Sequence, residues 1–216
     1  MNNILKISEF DGFVHCKSMF GEYLSLCNDI QYNFNTGVNI LHGDIDDYPW
    51  AISYTLSNYK QCCDDFILSG NEKVVYNETE LTLMDLNKFS CYIDRKINNK
   101  QKGTVREHIK QGKLISESIH SFDDIKDLFA LSEDRLDRTI DQVGNEFIRS
   151  LIAIEYVNGK DIFCFPWLSS KKYEYYRANI DYVSHILTQL GKIIIIPTNN
   201  SPNNCYQIRR LSKIVR

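Results

Sequence analysis

The chain has 216 residues, of which 43% are hydrophobic and 25% are charged. This composition supplies enough apolar surface for one substantial core and argues against a disordered or fibrous protein. A formal net charge of −3 gives no overall electrostatic reason for binding nucleic acid, so no nucleic-acid partner is predicted.

Cysteine usage indicates a reducing compartment. The seven cysteines are an odd number, and four of them lie in apolar, strand-like stretches where a thiol behaves as a small buried hydrophobe: Cys16, Cys27, Cys91 and Cys164. Cys62 and Cys63 have no matching Cys or His pair at metal-ligand spacing, so no metal site is predicted. No stretch approaches the roughly 18 apolar residues of a membrane span, and we therefore expect any membrane contact to be through a partner.

The N-terminal part of the sequence predicts strands followed by a glycine loop and a helix. Residues 23–32 alternate between apolar and polar side chains, which is typical of a half-buried antiparallel strand. Gly37 turns the chain into a short apolar strand over residues 38–41. After Gly43, Pro49 fits the first turn of a helix, where its missing N–H costs nothing.

Further short strands are predicted before residue 100. Residues 66–68 and 73–76 are apolar runs separated by Ser-Gly-Asn-Glu, and the Gly-Asn pair can adopt the positive dihedrals of a tight turn. We therefore expect the two runs to form a hairpin. A third strand is expected over residues 89–93.

A helical lobe is predicted between about residues 104 and 142. Thr104 and Glu107 form a capping-box pattern, in which each side chain satisfies an orphan backbone donor of the first helical turn. Ser121 and Ser132 are expected to begin two more short helices as N-caps.

The C-terminal part predicts a parallel βαβ unit. Gly144 precedes an amphipathic helix, and residues 162–165 form an unbroken apolar run typical of a central parallel strand. A helix across about 171–190 leads to four consecutive isoleucines at 193–196, which predict a second buried strand.

This order of elements resembles the nucleotide-binding subunit of ABC transporters over nearly the whole chain. Residues 104–109 have the sequence TVREHI, which is similar to the motif TVRENI that follows the family's glutamine loop. The resemblance implies a single α/β domain over residues 1–216, with a P-loop NTPase-like, ABC ATPase-like core around a mixed or parallel central sheet. An antiparallel β-subdomain and part of the core would occupy about 1–100, the helical lobe about 104–142, and the remaining core about 143–216.

The resemblance assigns the family's nucleotide-binding positions to Tyr23, Gly43, Tyr48, Pro49 and Trp50. Tyr23 stands near the adenine-stacking aromatic, although an ordinary strand tyrosine explains it without a ligand. Phosphoryl transfer needs a glycine-rich loop, a lysine on the phosphates and a Ser or Thr on magnesium. In this register only Gly43 remains, because Tyr48, Pro49 and Trp50 stand where glycine, lysine and the hydroxyl residue belong.

The other motifs of the family are also altered. Its signature falls on Gln142, Val143, Gly144, Asn145 and Glu146, with Arg149 at the arginine position. Pro166 and Trp167 stand where the family has the magnesium-binding Asp-Glu pair, and Asn199 replaces the switch histidine. The family's loop glutamine would lie near Asp94 or Arg95 and is absent.

These departures predict that the chain neither binds MgATP tightly nor hydrolyses it, so no cofactor is expected. Asp44, Asp46 and Asp47 would stand near a polyphosphate, where one like-charge contact at ~4 Å costs about 4 kcal/mol at an effective dielectric near 20. The three carboxylates are otherwise explained by the helix dipole, with a calcium site as an alternative. Trp50 and Trp167 are expected to fill the former phosphate and magnesium space.

Three functions stay open on the sequence. The first is a catalytically degenerate subunit that forms a homodimer, or a heterodimer with a competent ABC ATPase, and docks on a membrane permease. The second is a soluble interaction or regulatory protein that reuses the fold without any link to transport, with an aromatic cluster at Tyr173, Tyr175 and Tyr176. The third is an enzyme with relocated chemistry. We expect a non-enzymatic, cytoplasmic protein, attached to the inner face of the membrane only through a partner.

Overall fold

Two sheets and a set of helices make up the fold in the computed structural model, which describes residues 3–18, 21–45, 47–60, 66–94, 102–200 and 209–211. Each sheet has five strands within these residues. One sheet is antiparallel and the other is parallel, so the predicted α/β class with a separate antiparallel β-subdomain is confirmed.

The antiparallel sheet is organised around a long two-stranded ribbon of β1 (Ile4–Ser18) and β2 (Gly21–Asn35). The other edge of β1 pairs with β4 (Phe66–Leu68) and with β5 (Lys73–Tyr76), and β5 pairs in turn with β6 (Thr79–Leu81). The half-buried strand predicted over residues 23–32 is therefore present as part of β2.

The predicted hairpin between β4 and β5 is wrong, because both strands pair with β1 instead of with each other. A 15-residue strand is long enough to accept both partners. In the intervening turn, Glu72 Oε1 accepts the Gly70 N–H at 3.0 Å. Between the two pairings β1 has a register shift near Gly12, where a Cβ atom would lie only 2.2 Å from the Ile67 carbonyl oxygen.

The parallel sheet has the strand order β10, β3, β9, β8, β7. Its strands are β3 (Gly37–His42), β7 (Ser90–Tyr92), β8 (Ile162–Cys164), β9 (Ile193–Thr198) and β10 (Arg209–Leu211). All four pairings are parallel. The predicted buried strands at 162–165 and 193–196 are confirmed.

Two apolar clusters cover the two faces of the parallel sheet, because alternate residues of a strand point to opposite sides. Ile194 and Ile196 lie in one cluster, and Ile193 and Ile195 lie in the other. The second cluster also contains the apolar face of the antiparallel sheet, so the two sheets enclose a common core.

Helix α1 (Pro49–Asn58) lies in the cluster between the two sheets and is buried at all ten positions. Pro49 stands in its first turn, as predicted. The short helix α2 (Leu83–Leu86) follows the antiparallel sheet and begins at Thr82, whose hydroxyl accepts the Asp85 N–H.

The predicted helical lobe consists of α3 (Val105–Gln111), α4 (Lys113–Ser116), α5 (Phe122–Leu128) and α6 (Glu133–Leu136). The capping box of Thr104 and Glu107 is confirmed, and Ser121 forms a second one with Asp124. Ser132 precedes α6, but it does not cap that helix through its side chain. The predicted N-cap bond at Ser132 is therefore wrong, because its hydroxyl donates to Glu146 instead.

The lobe packs on the opposite face of the parallel sheet, against α7 (Phe147–Val157) and, through α7, on α8 (Ser170–Gln189). Lobe and core share one continuous apolar cluster, which includes Ile109 and Phe129 from the lobe and Leu151 from α7. Close approach is required at Gly112, where a Cβ atom would lie 2.3 Å from Val157 Cγ2.

Three cysteines behave as predicted, since Cys27, Cys91 and Cys164 are buried and unpaired. Burial raises the pKa of the Cys27 and Cys164 thiols to about 12. The side chain of Cys16, like Cys62 and Cys63, lies outside the part of the chain that the structure describes. Among the described helices, none combines the length and the apolar character that crossing a bilayer requires.

Candidate functional site

The loop between β3 and α1 is held closed by its own acidic side chains. Asp47 Oδ2 accepts the Asp44 N–H at 2.8 Å, the Asp44 carbonyl accepts the Asp47 N–H at 3.1 Å, and Asp44 Oδ1 accepts the Ile45 N–H at 2.9 Å. Backbone N–H groups are the donors with which a phosphate loop holds its ligand. In this loop, two of them are already bonded to carboxylates. Asp46 lies outside the described residues.

Gly43, which begins this loop, is in close contact with the first turn of α1. A Cβ atom at Gly43 would lie 2.7 Å from Pro49 Cγ and 3.2 Å from Asp47 Cβ. The glycine is therefore used for tight closure of the turn. Its own N–H donates to the Thr198 carbonyl at 3.2 Å, which joins the ends of β3 and β9.

The residues at the second glycine, lysine and hydroxyl positions of the family pattern pack into the core or at its edge. Tyr48 is half-buried, and its hydroxyl accepts a hydrogen bond from the Tyr32 hydroxyl at 3.2 Å. Burial raises the pKa of Tyr32, and the bond to Tyr48 adds to this effect. Trp50 is only 4% exposed and packs beside Tyr54 with ring centroids 6.4 Å apart. The Trp50 ring is therefore part of the core, and its filling of a former phosphate space stays a prediction.

Trp167 lies directly against the loop. It follows β8 and Pro166, packs on the cluster between the two sheets, and donates a hydrogen bond from its indole Nε1 to the Gly43 carbonyl at 3.1 Å. The structure therefore brings together Gly43 and Trp167, which the sequence assigned to the phosphate loop and the magnesium strand.

Asn199 has a structural partner of its own at the end of β9. Its Oδ1 accepts hydrogen bonds from the N–H and the hydroxyl of Ser170, at 2.9 and 3.1 Å, and so binds the first turn of α8. Beside it, Thr198 Oγ1 donates to the Leu168 carbonyl at 2.5 Å. Hydrogen bonds within the protein thus connect the carboxyl ends of β3, β8 and β9.

The segment at the family's signature position packs on the helical lobe. Val143 is buried, and its carbonyl accepts from Arg135 Nη1 at 2.9 Å. Gly144 has a positive φ of 63°, which favours glycine. Asn145 accepts from the same arginine through its side chain, and its carbonyl accepts from Asn179 Nδ2 at 3.2 Å. Gln142 is exposed.

Glu146 is a buried carboxylate, 4% exposed, with a complete set of partners. It accepts the N–H of Ser132 at 3.1 Å and also the Ser132 hydroxyl, and it forms ion pairs with Arg135 at 3.8 Å and Arg149 at 3.5 Å. Arg149 Nη1 also donates to the Ala130 carbonyl at 2.8 Å. The sequence reasoning identified Glu146 and Arg149 but missed Ser132 and Arg135. A buried acid requires a cation nearby, and that requirement was the available signal.

Tyr23 and the expected position of the loop glutamine lie at the edge of what the structure describes. Tyr23 lies in β2 opposite Cys16, and its side chain is outside the described part. An ordinary strand tyrosine stays the prediction there, with adenine stacking as the alternative. Asp94 follows β7, whereas Arg95 is not described. Within the described residues, no group of three or more His, Cys, Asp or Glu side chains is arranged to hold a metal ion.

Sequence comparison alone does not identify the chain. No family model matches it, and no curated protein matches it by sequence. Solved structures do match it over almost its entire length. A putative ABC transporter ATP-binding protein from Pyrococcus furiosus superposes with a TM-score of 0.61 at 14% identity, and the match covers 95% of this chain and 97% of that protein.

Two further structures give the same result. cbiO1 from Clostridium perfringens, described as part of the ABC transporter complex cbiONQ, has a TM-score of 0.60 at 15% identity, with 93% and 80% of the two chains covered. The dimeric ATP-binding cassette MJ0796, bound to ADP and Pi, has a TM-score of 0.54 at 16% identity, with 91% and 88% covered. The chain therefore has the fold of ABC transporter ATP-binding proteins.

Proposed function

We propose that the chain is a catalytically degenerate ABC-type ATP-binding subunit, a pseudo-ATPase that serves as a non-hydrolysing component of a transporter complex. The observation that carries this proposal is the bond from Trp167 Nε1 to the Gly43 carbonyl. The indole N–H and the backbone carbonyl are bonded to each other at the position where, by analogy with the fold, phosphates and magnesium would bind.

The chemistry of the loop supports the same proposal. Phosphoryl transfer depends on positioning and on positive charge around the transferred group. Here Pro49 supplies no charge, Trp50 supplies a buried ring, and the Asp47 carboxylate takes the Asp44 N–H. A phosphate entering this loop would have to displace that carboxylate and then remain close to it.

The solved relatives suggest the kind of assembly. MJ0796 is described as a dimeric cassette, and cbiO1 is described as part of a transporter complex. By analogy, the chain would form a homodimer, or pair with a competent ABC ATPase, and act with a membrane permease. It would then be a cytoplasmic protein held at the inner face of the membrane by that permease. This part of the proposal rests on fold analogy alone.

A titration with fluorescent ATP in the presence of magnesium tests the loss of nucleotide binding. We expect no saturable binding up to about 1 mM nucleotide, which is a binding free energy weaker than about −4 kcal/mol. Binding in the micromolar range that is lost when excess unlabelled ATP is added would overturn the proposal.

Co-purification from the native source tests the transport role separately. We expect a companion chain with an intact Gly-x-x-x-x-Gly-Lys-Ser/Thr loop, together with a membrane protein. Recovery of this chain alone, combined with no nucleotide binding, would favour the alternative of a soluble regulatory protein that reuses the fold.

A further inference from the structure

Asn158 and Gly159 form the only Asn-Gly pair in the sequence. In such a pair the backbone nitrogen of the glycine can attack the side-chain amide of the asparagine, because glycine has no Cβ atom to shield that nitrogen. Asn158 is exposed, and its side-chain amide makes no hydrogen bond to any residue that the structure describes. The pair therefore has the composition and the access that spontaneous deamidation requires.

The same pair ends α7 in a Schellman turn. Gly159 has a positive φ of 82°, and its N–H donates to the Tyr156 carbonyl at 2.9 Å. The Lys160 N–H donates to the Glu155 carbonyl at 3.1 Å. These two bonds define the motif, whose left-handed position favours glycine. The nitrogen that would attack Asn158 is therefore already part of a hydrogen bond.

The backbone of Asn158 also keeps the two reacting atoms apart. Its ψ is 0°, which turns the Gly159 nitrogen away from the Asn158 Cβ atom. Closing an imide ring between that nitrogen and the side-chain carbon Cγ requires both to lie on the same side of the Cα–C bond. The ring can therefore form only after rotation about this bond, and that rotation breaks the Schellman turn.

The residues just after the turn connect α7 to the segment that leads into β7. Lys160 Nζ donates to the carbonyls of Asn87 and Lys88 at 2.8 and 3.2 Å. The Asp161 N–H donates to the Phe89 carbonyl at 2.8 Å. These bonds join the entrance of β8 to the entrance of β7, and they oppose opening of the turn.

We propose that Asn158 deamidates spontaneously when the Schellman turn opens, and that the product prevents the turn from closing again. The Gly159 nitrogen gives its proton to water and bonds to Asn158 Cγ, and the bond from Cγ to the amide nitrogen breaks with release of ammonia. Water then opens the succinimide at either carbonyl, which leaves aspartate or isoaspartate at position 158. The net change is one water consumed and one ammonia released.

The isoaspartate product changes the main chain itself. Its backbone runs through the side-chain methylene, so one atom is added before Gly159, and the donors of Gly159 and Lys160 no longer match their carbonyls. The aspartate product keeps the main chain but places a negative charge at the C-terminus of α7, where the helix dipole disfavours it. The turn lies at the amino ends of the parallel strands, away from Gly43 and Trp167, and the proposal is therefore independent of nucleotide binding.

Peptide mapping by mass spectrometry after incubation in mildly alkaline buffer tests the site and its control by the turn. We expect position 158 to be modified in guanidinium chloride and at least about tenfold more slowly in the native chain, because a bonded helix end is open in only a small fraction of molecules. Asn71 is the internal control, since it is exposed but is followed by Glu72, and it should stay unmodified in both samples. Equal rates at position 158 in the two samples, or no modification in denaturant, would overturn the proposal.

A variant that loosens the turn separates its effect from global unfolding. Lys160→Ala removes the bonds to Asn87 and Lys88 and should raise the native-state rate about three- to tenfold. Lys88→Ala is the matched control, because it changes an exposed lysine of the same region, keeps the Lys88 carbonyl and should leave the rate unchanged. Circular dichroism checks that both variants are folded. Equal rates in the folded Lys160→Ala protein and the unmodified chain would contradict control by the turn.

Hydrogen exchange tests the effect of the product. The deamidated chain can be separated by its added negative charge, and in its isoaspartate fraction the amides of Gly159 and Lys160 should lose most of their protection. Asn158→Asp carries the same charge on an unaltered main chain and should keep most of that protection. Native protection of both amides in the isoaspartate fraction would show that the turn closes again, which would refute the irreversible opening.

Discussion

Trp167 and Gly43 are 124 residues apart in the chain, yet the indole Nε1 of Trp167 donates a 3.1 Å hydrogen bond to the Gly43 carbonyl. The bond connects the residue after β8 and Pro166 to the turn after β3. The Gly43 N–H donates to the Thr198 carbonyl at the end of β9. Hydrogen bonds of this one glycine therefore connect the ends of β3, β8 and β9.

Replacement of Trp167 by phenylalanine should weaken this connection without emptying the space. Trp167→Phe keeps an aromatic ring but removes the donor, and we expect the free energy of unfolding to fall by about 1 kcal/mol in urea denaturation. Trp167→Ala removes the ring as well and should cost about 2 kcal/mol more. A Trp167→Phe protein as stable as the unmodified chain would show that the bond contributes nothing to stability.

Glu146 should be important for the docking of the signature segment on the helical lobe. Glu146→Gln removes the charge that faces Arg135 and Arg149 and leaves those cations with reduced compensation. Both arginines are partly exposed, so we expect a loss of about 2 kcal/mol, below the range for a fully buried pair. Glu117→Gln is the matched control, because Glu117 is exposed and its pair with Lys113 is 4.0 Å long. Equal effects of the two changes in urea denaturation would contradict the role of Glu146.

Glu155, on α7, should make stability depend on pH. It is 7% exposed, and burial raises its pKa above the ordinary value of 4.5, while Lys160 partly opposes the shift. The folded state therefore holds the proton more tightly than the unfolded state. As a result, the free energy of unfolding falls as the pH rises from about the unfolded pKa through the folded pKa.

The Glu155→Gln variant has no such proton to lose. Relative to the unmodified chain, it should gain stability between pH 4 and pH 7. Urea denaturation at both pH values measures the gain, and Glu117→Gln controls for the exchange of an acid for an amide. A stability difference that is the same at pH 4 and pH 7 would exclude Glu155 as the source.

Gly112 should couple the helical lobe to α7 through a steric requirement. Gly112→Ala places a methyl group 2.3 Å from Val157 Cγ2, and we expect a loss of about 2 kcal/mol. The same methyl group would lie 2.6 Å from Val157 Cβ, which alanine keeps, so the partner change is Val157→Gly, which removes both contact atoms. The double variant should therefore be more stable than the sum of the two single changes predicts, by about 1 kcal/mol. Simple additivity in a double-mutant cycle would mean that the clash is relieved elsewhere.

Local patterns in the sequence predicted most of the individual elements. Three local patterns agree with the observed elements: the four isoleucines of β9, the proline at the start of α1 and the capping box at Thr104. Pairing was harder to predict, because the partner of β4 and β5 depends on the length of β1 and not on the turn between them. Strand β10 has no apolar periodicity and exists through its pairing with β3.

The resemblance named positions for the candidate site but not the contacts of those residues. The resemblance identified Gly43, Trp167 and Asn199 as corresponding landmarks, and all three lie at the carboxyl ends of the parallel strands or in the loops that follow them. It did not reveal that Trp167 bonds to Gly43 or that Asn199 bonds to Ser170, because such contacts depend on side-chain directions set by the whole fold.

The complete burial of α1 restricts which side chains its first turn can carry. Pro49 and Trp50 are both buried, and so is every later position of that helix. A lysine introduced at Pro49 would place a charged side chain at a buried position, while the Asp44 and Asp47 carboxylates of the loop already accept backbone N–H groups. Pro49→Lys alone would therefore threaten folding, and a phosphate-binding lysine at this position would require the neighbouring side chains to change as well.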